Sequence, residues 1–260
     1  MPSDTILLEY DGPIATMTHN RPDKHNAAND EMDGRLFDII EEIRDNPDVR
    51  VVIWNANGKS WSSGRDVEQI GVRTEDIDNL AFIERGQGRF SRILELQVPV
   101  ICALKGWVIG GSFERSLVAD LRIAAEGTRF MLPEVKHGVI TDTGGMARLF
   151  QMVGHGVTMD MVLTGRVMDA EEALRHGVIS RIVPLDELED TAREMAETIA
   201  SSPAFTVKMA KRNMGLLGDE VVRKSIAEEG ATQTLVFASD DYAEMKAART
   251  EDRKPTWRRR

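Results

Sequence analysis

The sequence predicts an α/β fold, and three observations carry that reading. Short apolar runs of β-prone residues, such as Val49–Trp54, Val100–Leu104 and Leu121–Ala124, recur along the chain. Stretches with apolar residues at helical spacing lie between them, and repeated strand–helix–strand units build α/β architectures. The last third is helical in pattern throughout. At 260 residues, with 42% hydrophobic and 29% charged residues, the chain is long enough to bury a large core in one globular unit.

Taken in order, Ile6–Tyr10 and Ile14–Thr18 flank Asp11-Gly12-Pro13 and read as a hairpin, which His19-Asn20-Arg21-Pro22 ends. From Asn29 the apolar positions Met32, Leu36, Ile40 and Ile43 share a helix face, with Asn29 or Asp30 as cap and Pro47 as stop. Val49–Trp54 follows as a buried strand. A polar Gly/Ser loop covers residues 55–64, and a helix is expected from about Glu75 to Gln97 despite Gly86 and Gly88. After Gly110-Gly111 a short helix runs through Glu114 to about Ala119. Leu185, Leu188, Ala192, Met195, Ala196 and Ile199 form a helical stripe, and Ser202-Pro203 starts a second helix. Residues 219–237 offer a third, and Ser239-Asp240-Asp241 caps a fourth reaching Arg249. The expected division is a core with the active site over residues 1–200, and a helical region over 201–260 that packs on the core or on a neighbouring subunit.

The formal charge of −10 and pI of about 5.1 argue against nucleic acid or an anionic membrane as partner. The only basic run, Arg258-Arg259-Arg260, reads as a solvated tail. Cys102 lies inside an apolar run and reads as a buried small hydrophobe, so no disulfide framework exists within the chain. The N-terminus lacks the pattern of a secretory signal, and no apolar stretch has membrane-spanning length. A soluble, cytoplasmic protein is expected. No Cys/His cluster suggests a metal, and the glycine turns do not follow the dinucleotide fingerprint, so no cofactor is expected.

The stretch from Lys105 to Gly145 concentrates the chemistry. A strand entering Gly110-Gly111 and then a helix presents free amides at a helix N-terminus. If a second amide converges from Ser63-Gly64-Arg65, the two hold an oxygen that gains charge during reaction; alone, the glycines read equally as a tight turn. Glu114 sits one turn into that helix, and Glu134 follows Pro133 beside the apolar Phe130-Met131-Leu132. Two carboxyls near one apolar pocket separate into acid and base, although two surface glutamates give the same sequence. Asp142 is a third candidate, with an Asx turn capping a helix near Gly144 as its alternative. His137, between Glu134 and Asp142, reads as a surface histidine.

Asn20-Arg21-Pro22 with Asn26-Ala27, residues 58–66 (Gly58-Lys59-Ser60-Trp61-Ser62-Ser63-Gly64-Arg65-Asp66), Gly106 through Glu114, Asp120, Pro133-Glu134 and Gly144-Gly145 resemble the crotonase (enoyl-CoA hydratase/isomerase) superfamily in order and spacing. The likeness runs from about Ile6 to Pro184, and Gly177-Val178-Ile179 with Val183 resembles the family's end-of-core segment. The resemblance implies a crotonase-like spiral of ββα units, a helical C-terminal part that builds homotrimers or dimers of trimers, and an acyl-CoA thioester substrate. Coenzyme A is then part of the substrate rather than a cofactor. Matched residue by residue, the oxyanion hole falls on the amides of Arg65 and Gly111, and Glu114 and Glu134 fall on both catalytic glutamates. Contacts to substrate or coenzyme A fall on Lys24, Ala27, Ser63, Arg65, Asp66, Gly110 and Gly111, with Lys59 a weaker candidate.

Departures from the family pattern are Ser112 for a glycine, Phe113 beside Glu114, Arg65 where a small residue is common, and Asp142 where simple hydratases have glycine. The resemblance gives an acid at the Asp142 position two precedents, a proton shuttle in dienoyl-CoA isomerases and a nucleophile in aromatic dehalogenases. The latter needs a mid-chain histidine. None of His19, His25, His137, His155 and His176 lies between the two oxyanion loops, so it is discounted. The leading expectation is hydration of 2-enoyl-CoA to 3-hydroxyacyl-CoA with Glu114 activating water and Glu134 serving C2. A dienoyl-CoA or enoyl-CoA isomerase using Glu134 and Asp142 comes second, and a non-catalytic binder of acyl-CoA or RNA third. The acidic helix after Asn29 argues against RNA.

Overall fold

The computed structural model describes residues 4–72 and 76–257. Strands β1 (Ile6–Asp11) and β2 (Ile14–His19) form the expected antiparallel hairpin. Helix α1 (Asp30–Asp45) is capped by Asn29, whose Oδ1 accepts from the Met32 N–H at 2.9 Å. It buries Met32, Leu36, Ile39, Ile40 and Ile43. Strand β3 (Val51–Ala56) then pairs parallel to β2.

Helix α2 (Asn79–Glu95) is capped by Asp78, and Gly86 and Gly88 are accommodated within it. The expected start near Glu75 lies outside the described residues, as does the tail Arg258–Arg260. Strand β4 (Val100–Leu104), the short β5 (Trp107–Ile109), α3 (Gly111–Val118) and β6 (Leu121–Ala125) follow. Arg122 closes the C-terminus of α3, its Nη1 donating to the carbonyls of Ser116 at 2.9 Å and Ala119 at 2.7 Å. Asp120 Oδ2 accepts from the Val100 N–H and from Lys211 Nζ, which fixes the turn before β6.

The remaining elements are β7 (Arg129–Met131), α4 (Gly145–Thr164), β8 (Val167–Asp169), α5 (Ala170–Arg175), β9 (Arg181–Val183), α6 (Leu188–Ala200), α7 (Ala204–Phe237) and α8 (Asp240–Thr250). Six strands form a sheet in the order β1-β2-β3-β4-β6-β9, parallel beyond the first hairpin, while β5-β7-β8 form a second, smaller sheet. The chain therefore alternates between two sheets while its helices cover them, the α/β arrangement the sequence predicts.

Two expectations need correction. The separate helices placed after Ser202-Pro203 and over residues 219–237 are one continuous α7 of 34 residues. Gly215 and Gly218 each cost it about 1 kcal/mol relative to alanine, but packing on α2 and α4 holds the C-terminal half in place. Leu185, assigned to the stripe of α6, lies in the turn before that helix and is exposed, while Leu188, Ala192 and Ala196 are buried as expected. Cys102 is buried, and burial pushes its thiol up to about 12.

Candidate active site

Two loops converge where the sequence placed the chemistry. The Ser62 N–H donates to the Trp107 carbonyl, and the Ile109 N–H donates to the Ser62 carbonyl, each at 3.1 Å. Ser112, the departure from the glycine pattern, shares a 2.7 Å hydroxyl–hydroxyl bond with Ser62 and so ties the loops together. Behind them His19 is locked in the core. Trp54 Nε1 donates to its Nε2 at 2.9 Å, and its Nδ1 lies 3.0 Å from the Trp61 carbonyl. Burial holds its pKa at about 4, so the ring is neutral and structural.

Backbone bonding fixes the direction of two amides. The Ala28 N–H donates to the Gly64 carbonyl and the Asp66 N–H to the Ala28 carbonyl. In extended chain the intervening Arg65 N–H therefore faces away from Ala28. Gly111 is the first residue of α3, so its N–H has no intrahelical acceptor.

A cavity of about 390 Å³ opens between these loops and α2, and Ser63, Arg65, Gly110, Gly111, Glu114, Glu134 and Asp142 all stand in its wall. Lys24, Ala27 and Asp66 do not line it. They flank it instead, because Ser63 Oγ bonds the Lys24 carbonyl and the bridge between Ala28 and Arg65 joins the two segments. The Arg65 guanidinium is committed to Asp30 and Asp33 of α1.

The carboxyls crowd one end of this cavity. Gly110 has φ +59°, and a Cβ there would lie 2.8 Å from Glu134 Oε1, so only glycine lets Glu134 approach the turn. Glu114, 1% exposed, accepts at Oε2 from the N–H groups of Thr143 at 3.0 Å and Gly145 at 3.1 Å. Glu134 Oε2 is buried with no hydrogen-bond partner. Asp142 does not cap α4, since the Gly144 N–H donates to Glu229 of α7 at 2.8 Å. The α4 N-terminus is thus held by two carboxylates, from α3 and α7.

Burial raises all four carboxyl pKa values. Glu114 lies well above its ordinary range, through desolvation and then the charges of Glu134, Asp142 and Glu229, with the Thr143 N–H opposing. Desolvation raises Glu134 from 4.5 to about 8, with Asp142 adding to the rise. Asp142 moves from 3.8 to about 7 through desolvation and then Glu229. Desolvation raises Glu229 too, against its bonds from Ser225 and Gly144. Both Glu134 and Asp142 keep partial access through the cavity they line, which moderates but does not reverse the shift.

These shifts have a stability consequence. As pH rises from about 4 to 8 the unfolded chain ionises its carboxyls while Glu134 and Asp142 resist, so protons bound are fewer in the unfolded state. Their favourable contribution is complete below about 4 and is lost by about 8. Urea unfolding is expected to show stability falling over that window by on the order of a few kcal/mol from these groups, and Glu134→Gln flattens the slope. An unchanged slope in the variant contradicts the assignment.

Several residues at the site were not singled out from sequence. Gln87 Nε2 donates to the carbonyls of Asp142 at 2.6 Å and Ile226 at 2.8 Å, and Gln233 Oε1 accepts from the Ile140 N–H at 2.8 Å. With Glu229 they fix the segment that carries Asp142. The signal was there: Glu229 and Gln233 continue the buried face of Val222 and Ile226 at helical spacing. His137, read as a surface residue, lines the cavity, and burial lowers its pKa, with Arg249 and Lys136 adding.

Comparison with known proteins places the chain in a family. Residues 9–260 match the enoyl-CoA hydratase/isomerase family. A probable enoyl-CoA hydratase of Mycobacterium tuberculosis is 33% identical over 260 residues, covering 100% of both chains. A carnitinyl-CoA dehydratase of Salmonella enteritidis is 34% identical, covering 99% of this chain and 100% of its own length. The crystal structure of an enoyl-CoA hydratase/isomerase from Pseudoalteromonas atlantica superposes with a TM-score of 0.88 at 27% identity, covering 98% of this chain and 100% of that one. The arrangement of the two sheets and the helical C-terminal region is the crotonase fold, and the chain belongs to the enoyl-CoA hydratase/isomerase family.

Proposed function

We propose that this enzyme adds water across the double bond of 2-enoyl-CoA thioesters to give 3-hydroxyacyl-CoA. The observation that carries the reading is the placement of Glu114, Glu134 and the two loop backbones in one cavity wall. In this reading the N–H groups of Arg65 and Gly111 donate to the thioester oxygen, which gains negative charge as water bonds to C3. Glu114 and Glu134 share one proton as a coupled pair. The two backbone N–H groups on Glu114 Oε2 favour the charge there, so the anionic Glu114 takes the proton from the water. Glu134, with a pKa near 8, carries a proton at neutral pH and delivers it to C2 as the enolate collapses. A proton then returns from Glu114 to Glu134 to complete the cycle.

Coenzyme A is the substrate's handle in this proposal and no cofactor takes part. Lys24, Ala27 and Asp66 flank the cavity where the nucleotide leaves it, with Lys24 as the nearby cation because Arg65 is tied to α1. Exposed Phe205, Met214, Leu216 and Leu217 on α7 support a homotrimer or dimer of trimers, because a row of exposed apolar side chains marks an interface. Among the described residues no helix is long and apolar enough to cross a membrane.

One observation favours a second reading. Asp142 stands in the same wall with a pKa of about 7, the property wanted in a group that shuttles a proton along the acyl chain in an isomerase. Loss of conjugated absorbance from short enoyl-CoA thioesters, with a product heavier by one water, is the expected result for hydration. If Asp142→Asn abolishes turnover while Glu114→Gln loses little activity and the product has the mass of the substrate, the hydratase reading fails and the isomerase reading replaces it. Persistent absorbance with every thioester leaves the non-catalytic binder.

A further inference from the structure

The wall of the cavity holds more buried polar atoms than the hydration chemistry uses. Arg115, next to Glu114 on α3, is 3% exposed. Its Nη2 donates to Asp33 Oδ1 at 2.6 Å, and its guanidinium carbon sits 4.1 Å from the centre of the Phe90 ring. Its Nε and Nη1 have no acceptor. Asp33 is also shared, because its other oxygen accepts from Arg65 Nη1 at 2.8 Å. Arg65 also holds Asp30, so the four side chains balance in charge, while Arg115 Nε and Nη1 keep hydrogen-bonding capacity that Asp33 does not fill.

Gln233 repeats the pattern across the cavity. It is 1% exposed, its Oε1 is used by the Ile140 N–H, and its Nε2 has no partner. Thr143 Oγ1 is unpartnered in the same wall. Buried donors without acceptors are rare in folded proteins, and each one calls for a cause. A plain alkyl chain filling this space would leave the donors unpaired.

We infer that the acyl chain taken by this site carries a carboxylate remote from the thioester, with Arg115 as the residue that selects it. The inference rests on the acyl-CoA reading of the cavity and narrows it to a substrate class. A guanidinium with free N–H groups favours a carboxylate over a neutral oxygen, since charge-assisted bonds are the stronger ones. Phe90 packs on the guanidinium from one side, and Gln233 adds an unpaired neutral donor elsewhere in the same wall. The carboxylate accepts from the Arg115 N–H groups that Asp33 leaves open. Arg115 is a specificity residue in this scheme, with no role in proton transfer.

Saturated thioesters test this without turnover. Calorimetric titration compares succinyl-, glutaryl- and adipoyl-CoA with butanoyl-, pentanoyl- and hexanoyl-CoA on the full chain. At the length that reaches Arg115, the dicarboxylic thioester is expected to bind at least about tenfold more tightly than its alkyl counterpart, and Arg115→Met should collapse that ratio toward one. Asp33 keeps Arg65 in that variant, so no carboxylate is stranded. Should Arg115→Met melt well below the parent, Arg115→Lys keeps a charge while losing the planar donors, and a reduced ratio is expected there. Equal or tighter binding of the alkyl thioesters at every length overturns the inference, as does a well-folded Arg115→Met that retains the preference. Failure of all six thioesters to bind is a different result, since it removes the acyl-CoA reading itself and this inference with it.

Discussion

Glu134→Gln is expected to lower kcat for enoyl-CoA hydration by about 10²–10⁴-fold, the usual worth of a positioned general acid or base, with KM little changed. The physical basis is the state of the carboxyl. Glu134 is desolvated, its Oε2 has no donor, and its pKa stands near 8, so at neutral pH it retains a proton. Glutamine keeps the volume and can still fill the space beside Gly110, but it has no proton of suitable acidity for C2. Steady-state kinetics with the best enoyl-CoA substrate checks the split between kcat and KM. The wild-type profile adds a second readout, because the rate should fall as the pH passes about 8 and the acid deprotonates. A variant with near-normal kcat would show that C2 receives its proton elsewhere, and Asp142 would be the first place to look.

Gly145→Ala should damage both stability and turnover. A Cβ at that position would lie 2.5 Å from Glu114 Cβ and 2.7 Å from its Cα, and the latter is backbone that no rotamer change can move. Helices α3 and α4 must separate to admit one methyl group. Overpacking of this kind costs about 1–3 kcal/mol, or roughly 2–4 °C of melting temperature per kcal/mol in a chain of this size. The same separation lengthens the bonds from the Gly145 and Thr143 N–H groups to Glu114 Oε2, so the expected loss in kcat exceeds about tenfold. Gly156→Ala is the matched control, because nothing lies within 4 Å of a Cβ there; it should leave both quantities near wild type. A Gly145→Ala protein that melts and turns over like the parent would show that close approach of α3 and α4 does not set the geometry of Glu114.

Much of the fold was legible because local pattern and tertiary burial agreed. The apolar face of α1, the caps Asn29 and Ser239, and the buried runs of β3, β4 and β6 all follow from residue types at fixed spacing. The glycine loops and the glutamates Glu114 and Glu134 were legible as motifs, and the cavity gathers them. Failures fell where tertiary packing outweighed local preference. Two helices were expected after Ser202-Pro203 and over residues 219–237, yet one helix spans both because its far half is clamped against α2 and α4. Asp142 resembled an Asx-turn cap, yet Glu229, 85 positions away from Gly144, takes the amide that such a cap requires.

What the sequence alone determined is the set of parts: an α/β chain of family type, two loops able to present free amides, and three acidic side chains at characteristic spacing. What only the tertiary structure decided is their environment. Desolvation and charge proximity depend on neighbours brought from distant segments, so the raised carboxyl pKa values, the clamp of Glu114 and Glu229 on α4, and the unfilled donors of Arg115 and Gln233 appear only once α1, α2 and α7 close around α3. Pattern is a property of sequence separation, whereas the acidity and pairing of a buried group are set by distances through space.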